Sequence, residues 1–142
     1  MNPAVPLYPM GDQEYVSLTT FRRSGEGVST AVWIARDGDA LIVTTHANTG
    51  KVKRLRNDSR VELRPCGPLG RVRDDAPVAS ALAVVVEDSA EIARLTPVFI
   101  AKYGIQFRLL GRVERLFERR TGARVLLRIT PTDAERALAE RA

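Results

Sequence analysis

The stretch Tyr15–Thr45, YVSLTTFRRSGEGVSTAVWIARDGDALIVTT, decides the fold. Tyr15–Arg23 alternates polar and apolar side chains and is rich in Thr, Tyr, Val and Phe, the pattern of a half-buried strand. Ser24-Gly25-Glu26-Gly27 is a turn, and Val28–Arg36 reads as the returning strand. Asp37-Gly38-Asp39 is a hairpin signal, and Ala40–Thr45 is a third strand. Connections this short favour antiparallel pairing, because a parallel crossover needs a far longer segment.

Working outward, His46–Asn48 breaks the strand pattern. Asn48 or Thr49 is placed to cap a short helix to about Asn57, which Val52 and Leu55 would dock on the sheet. Arg60–Pro65 is a fourth strand, Cys66–Ala76 a polar loop, and Pro77–Glu87 a buried fifth strand. Asp88 then caps a helix, with Glu91 completing a capping box. Ile92, Leu95, Phe99, Ile100 and Tyr103 share one face of it. Pro97 is expected to kink or restart this helix, with Thr96 as the new cap, and Gly104 ends it. Phe107, Leu110, Val113, Leu116 and Phe117 mark a second helix to about Arg120. Ala123–Thr130 is a sixth strand ended by Pro131, and residues 132–142 read as a short frayed tail helix. Residues 1–11 read as a loose, proline-containing arm. Strands grouped together rather than alternating with helices mean an α+β fold, mainly β. Six antiparallel strands can close into a barrel with no exposed edge, as one domain over residues 1–142.

Composition narrows the class without naming a function. A chain of 142 residues, 44% hydrophobic and 27% charged, can bury a core as one globular domain. Cys66 is the lone cysteine, so no intrachain disulfide forms, which suits a reducing cytoplasm. No apolar run is long enough to span a membrane, and the first residues do not read as a signal peptide. A cytoplasmic protein is expected. The net charge of +5 comes from 22 basic and 17 acidic residues, mostly interleaved. The exception is Lys51–Arg56, with four basic residues and no acid.

Catalytic constellations are sparse. His46 and Cys66 lie on different connections and read as an ordinary loop histidine and an inert thiol. A metal site would lack His and Cys ligands. Neither phosphate-binding glycine motif occurs, and Asp74-Asp75 reads as a solvated turn.

The informative segment runs from Thr44 to Arg60. A strand ends at Thr44-Thr45, Asn48-Thr49-Gly50 turns, and Lys51, Lys53 and Arg54 follow in the first turn or so of a helix. The N-terminal end of a helix is partly positive, so lysines there cost a few tenths of a kcal/mol each. A bound anion reverses that sign, since N–H groups, Thr hydroxyls and ammonium groups converge on it. Composition alone leaves this segment balanced between a solvated basic helix and an anion site. Trp33, the only tryptophan, reads either as core or as packing beside a ring system or a subunit interface.

Tyr15–Arg23, Val32-Trp33 and Gly50–Val61, with Lys102-Tyr103-Gly104 and Gln106-Phe107-Arg108, resemble the flavin/deazaflavin oxidoreductase superfamily. These are split β-barrels related to pyridoxamine 5′-phosphate oxidase, and the actinobacterial branch that binds coenzyme F420 is the nearest in pattern. The resemblance implies a six-stranded antiparallel split barrel with a short phosphate-binding helix and two longer helices before the last strand. It implies a homodimer with the cofactor in a groove at the interface and a small-molecule substrate. It places cofactor contacts at Thr44, Thr45, Thr49, Lys51, Lys53 and Arg54, with Trp33 and the Val28–Trp33 backbone near the ring. The FMN oxidases of this superfamily carry Ser-Arg-Lys where this chain has Thr49-Gly50-Lys51, which favours F420 over FMN; haem is a further alternative. No catalytic side chain is required, because the cofactor carries the hydride chemistry. A non-catalytic cofactor-binding module is the rival reading. Nucleic acid is not an expected partner, since few aromatics interleave with Lys51–Arg56.

Overall fold

A computed structural model of the chain describes residues 4–106 and 122–141. Six antiparallel strands close a barrel in the order β1-β2-β3-β6-β5-β4. They are β1 (Tyr15–Phe21), β2 (Gly27–Asp37), β3 (Ala40–His46), β4 (Arg60–Pro65), β5 (Ala79–Val86) and β6 (Arg124–Pro131). Helix α1 (Gly50–Asn57) links β3 to β4, α2 (Ser89–Tyr103) follows β5, and α3 (Asp133–Arg141) follows β6. The α+β barrel expected from the strand pattern is the one observed. The second long helix expected near residues 107–120 lies outside the described residues.

Alternation explains the core. Val16 and Leu18 of β1, Ile34 of β2, Leu41 and Val43 of β3, Leu63 of β4 and Leu127 and Ile129 of β6 fill the interior, each at most 1% exposed. From β5 the fully buried interior side chains are Ala79, Ala81 and Ala83, with Val85 half-buried against the same core. Those small side chains leave room for Leu7 and Met10. The N-terminal segment is therefore not a loose arm from residue 4 onward. Residues Tyr8–Asp12 form a 3₁₀ helix that plugs the barrel end where β1 begins. Ala4 bridges Val78, and the Leu7 N–H donates to Glu135 Oε1 on α3 at 2.9 Å. Burying Leu7 and Met10 is worth about 1.5–3 kcal/mol per side chain, which offsets part of the freedom lost in ordering the segment. Leu55 of α1 enters the same core near the end of β1.

Outside the barrel, Leu95, Phe99 and Tyr103 of α2 pack on Ala35, Ile42 and Leu126. Pro97 neither kinks α2 into two helices nor starts a new one; the helix runs through it. Thr96 is not a cap, since its hydroxyl donates back to the Ile92 carbonyl at 2.7 Å. Asp88 does cap α2, accepting from the Ala90 N–H at 3.0 Å. Glu91 does not complete a capping box; it pairs with Arg94 and Arg128, which outcompete a backbone N–H for its charge. No helix among the described residues is long and apolar enough to cross a membrane.

The feature that matters for function is how β2 is shared. Its first part, Gly27–Trp33, pairs with β1, and its last part, Ile34–Asp37, pairs with β3. β3 in turn continues past that ladder, pairing Thr44, Thr45 and His46 with β6. Between Gly27–Trp33 and Thr44–His46 no ladder exists, so the wall of the barrel is split there.

Candidate functional site

A cavity of about 380 Å³ sits at this split. It is lined by Ala31, Val32 and Trp33 of β2 and by Thr44, Thr45 and His46 of β3. Tyr15, Arg124, Thr49 and Lys51 complete the walls, and Pro68 comes from the loop after β4. Volumes of this order hold small molecules and cofactors. Among the described residues the lining carries no carboxylate and two fixed cations, Lys51 and Arg124.

Thr49 occupies the N-cap position of α1 in extended conformation, but its side chain does not cap. Its hydroxyl instead donates to the His46 carbonyl at 2.9 Å, tightening the turn. The first turn of α1 thus has no side-chain cap and no acidic residue. Lys51 stands in that turn, half-buried, with no hydrogen bond or ion pair among the described residues. Burial, and then the nearby Arg54 guanidinium, hold the Lys51 ammonium below the usual lysine range. An uncapped helix start beside a desolvated, unpaired ammonium is a place that favours an anion.

The far wall is held by β6. Arg124 faces His46 across the β3–β6 ladder, and its guanidinium donates to the Thr44 hydroxyl. His46 Nδ1 lies 3.3 Å from the Gly122 carbonyl oxygen. The Trp33 ring stacks on Tyr103 with centroids 4.6 Å apart and planes 12° from parallel. Tyr103 is anchored in turn: its hydroxyl oxygen accepts from the Ile34 N–H at 2.9 Å and lies 2.6 Å from the Glu14 carbonyl, to which it can donate. Burial pushes the Tyr103 phenol up to about 12, so it stays neutral. Beside it, Lys102 Nζ donates to the carbonyls of Gly11, Gln13 and Ile34 at 2.6–2.8 Å. The end of α2 therefore fixes the aromatic wall of the cleft.

Of the residues singled out in the sequence, Trp33, Thr44, Thr45, Thr49 and Lys51 meet around this cavity. Lys53 and Arg54 do not line it. Lys53 is exposed, two positions round the helix from Lys51. Arg54 turns back along α1, where its Nε donates to Thr20 Oγ1 at 2.6 Å. Arg56 is paired with Glu87 at 2.6 Å. The sequence reading missed Tyr15 and Arg124 and took His46 for an ordinary loop histidine; Pro68 comes from the Cys66–Ala76 loop. Arg124 enters through the β3–β6 register, which no local pattern announces.

The architecture is a split antiparallel barrel with a basic cleft at the split that, among the described residues, carries no carboxylate. The pyridoxamine 5′-phosphate oxidase family model matches residues 10–136, and the chain belongs to that family. No curated protein sequence matches the chain. Several solved structures share the fold. One is an F420 reductase, 19% identical with a TM-score of 0.55, covering 90% of this chain and 96% of that one. Another is HutZ, the haem storage protein of Vibrio cholerae, 16% identical with a TM-score of 0.60, covering 91% and 92%. A third is a pyridoxamine 5′-phosphate oxidase-related, FMN-binding protein from Nostoc punctiforme, 17% identical with a TM-score of 0.51, covering 83% and 70%.

Proposed function

We propose that this chain is a cytoplasmic, F420-dependent oxidoreductase that transfers a hydride between the deazaflavin and a small organic substrate. The observation that carries the reading is the half-buried Lys51 at the uncapped start of α1, unpaired among the described residues and inside a cleft to which those residues contribute no carboxylate. Such a site suits a phosphate-bearing ligand. Likeness to an F420 reductase supports the choice of ligand class. Glycine at position 50, where the FMN oxidases of the superfamily carry arginine, favours the deazaflavin over FMN.

The cofactor, when bound, supplies the hydride chemistry. The protein's own residues bind and orient it. Lys51 gives the phosphate its charge partner, and Thr45 and Thr49 give it short hydroxyl contacts. Thr44, engaged by Arg124, sets the opposite wall. Trp33, backed by Tyr103, offers an aromatic wall at the other end of the cleft. The same reading includes a homodimer whose interface borders the cleft. Pro68 of the loop after β4 lines the cavity, and the adjacent Leu69 is 98% exposed, a position a second protomer would cover.

The test is to equilibrate the protein with F420, FMN and haem in parallel and record absorbance after gel filtration. Uptake of F420, lost in Lys51→Ala, followed by oxidation of the reduced cofactor by an acceptor, supports the proposal. Preferential uptake of FMN or haem overturns the cofactor choice. Binding without turnover across an acceptor screen favours a cofactor-binding module. Unchanged affinity in Lys51→Ala removes the phosphate assignment.

A further inference from the structure

We propose that His46 is the proton donor of the cleft: its imidazolium gives the Nε2 proton to the substrate oxygen that becomes charged as the substrate takes up a hydride. The inference rests on the oxidoreductase reading above and names the class of substrate, a carbonyl compound, simple or conjugated.

The hydride belongs to the cofactor, but the proton that completes a reduction needs its own source. Among the described residues lining the cleft, the titratable groups are Tyr15 of β1, His46 of β3, Lys51 of α1 and Arg124 of β6. β2 and the loop after β4 bring no charged group to it. Phenol, ammonium and guanidinium groups ordinarily hold their protons well above neutral pH, whereas imidazole exchanges its proton near neutrality. Lys51 is in any case committed to the phosphate.

The structure also fixes how that imidazole is held. Thr44 and His46 alternate onto one face of β3, with Arg124 opposite His46 on β6. The His46 carbonyl accepts from the Thr49 N–H at 3.3 Å and from the Thr49 hydroxyl at 2.9 Å. The next N–H, of Ala47, donates to the Ala123 carbonyl at 2.9 Å. His46 Nδ1 lies 3.3 Å from the Gly122 carbonyl oxygen, which only accepts, so Nδ1 carries the hydrogen. Gly122 has φ +77°, and a Cβ there would lie 3.0 Å from Asn48 Nδ2, so the turn that offers this carbonyl favours glycine. With Nδ1 committed to the turn, the proton that the ring gives and regains is the one on Nε2. The ring needs no flip between its two states, because imidazolium and the neutral Nδ1–H tautomer keep the same bond to Gly122.

In the step itself the carbonyl π bond breaks, a carbon of the substrate gains the hydride and the oxygen gains the His46 proton. One C–H and one O–H bond form, and the substrate is reduced by two electrons. Those electrons come from the reduced deazaflavin, which is oxidised and releases one proton to solvent. A solvent proton then restores the His46 imidazolium.

The experiment pairs histidine NMR with turnover in wild type, His46→Gln and Tyr15→Phe. As the sole histidine, His46 gives one ring to follow. In F420-loaded, untagged wild type, the ring nitrogen shifts should show the Nδ1–H tautomer once the ring is neutral. With F420 saturating at every pH, kcat on the acceptor that wild type reduces should fall as pH rises through the NMR midpoint of His46. His46→Gln should lower kcat about 100- to 10,000-fold, the range for a lost general acid, and flatten that pH dependence. Its F420 dissociation constant should stay at the wild-type value. An Nε2–H tautomer, or wild-type kcat in His46→Gln, overturns the assignment. An equal loss of F420 affinity would mean that His46 only shapes the cleft, and overturns it too. A loss confined to Tyr15→Phe moves the donor to that phenol and overturns the role of His46. A wild-type protein that binds F420 and reduces no acceptor overturns the oxidoreductase reading and this role with it. The kinetic failures in the variants arise only beside an active wild type, which tells the two apart.

Discussion

Lys51, in the proposed site, shows at residue scale how a desolvated charge burdens the empty protein. Its folded pKa is depressed, chiefly by burial, while in the unfolded chain it titrates near the ordinary 10.5. Between those two values the unfolded chain binds more protons than the folded one. Stability therefore rises with pH through that window, and below it the charged, desolvated lysine is a standing cost. Lys51→Met should accordingly raise the melting temperature of the empty protein at neutral pH and flatten its alkaline pH dependence. A melting temperature that falls would mean the ammonium has a stabilising partner. Binding runs the other way, because an anion needs the protonated form. Cofactor affinity should decline on the alkaline side before an unperturbed lysine would titrate, and not at all in Lys51→Met. Part of this was legible in sequence: lysine in the first turn of a helix is out of place without an anion. Which basic residues face the cleft was not. Lys51, Lys53 and Arg54 look alike in the chain, and only the helix's rotation on the barrel separates a lining residue from a solvated one and a folded-back one.

At the scale of elements, period and turn chemistry carried far. The Asp37-Gly38-Asp39 signal became a two-residue turn between paired Asp37 and Ala40, with Gly38 at φ +61°. The apolar face read for α2 is the face that packs. The misses have physical causes. Leu7 and Met10 have no strand or helix period around them, so nothing local marks them as a plug for space left by three alanines of β5. Pro97 invites a helix break, yet tertiary contacts of Leu95, Phe99 and Tyr103 hold both halves in one helix. That retention predicts a gain on removal. Pro97 sits deep in α2 and is exposed, so it contributes little packing. An interior proline costs about 3 kcal/mol relative to alanine. Its rigidity in the unfolded chain returns up to about 1 kcal/mol. Pro97→Ala should therefore stabilise the protein by roughly 2–3 kcal/mol in urea unfolding. A loss of stability would show that Pro97 is needed to seat Tyr103 under Trp33, and Trp33 emission would then shift as well.

For the whole molecule, the split is a consequence of one long strand serving two neighbours. β2 leaves β1 for β3 at Trp33–Ile34, and the backbone edge of Gly27–Trp33 on the β3 side has no ladder there. An open edge of that kind is a liability unless something covers it. In the proposed complex the cofactor would cover part of it, and in the proposed homodimer the partner's surface would cover the rest. The two coverings are then linked: whatever binds only the assembled cleft stabilises the assembly. At a hundred times its dissociation constant, a ligand adds about 2.7 kcal/mol to the state that binds it. Light scattering should find a dimer at micromolar concentration, and saturating cofactor should shift its dissociation to lower protein concentration. Leu69→Asp, placing a charge on a residue 98% exposed in the single chain, should leave the melting of the isolated barrel unchanged. It should weaken self-association and cofactor affinity together. Were the variant to dissociate and still bind cofactor as tightly as wild type, the cleft would be complete in one chain and the shared-interface reading would fall.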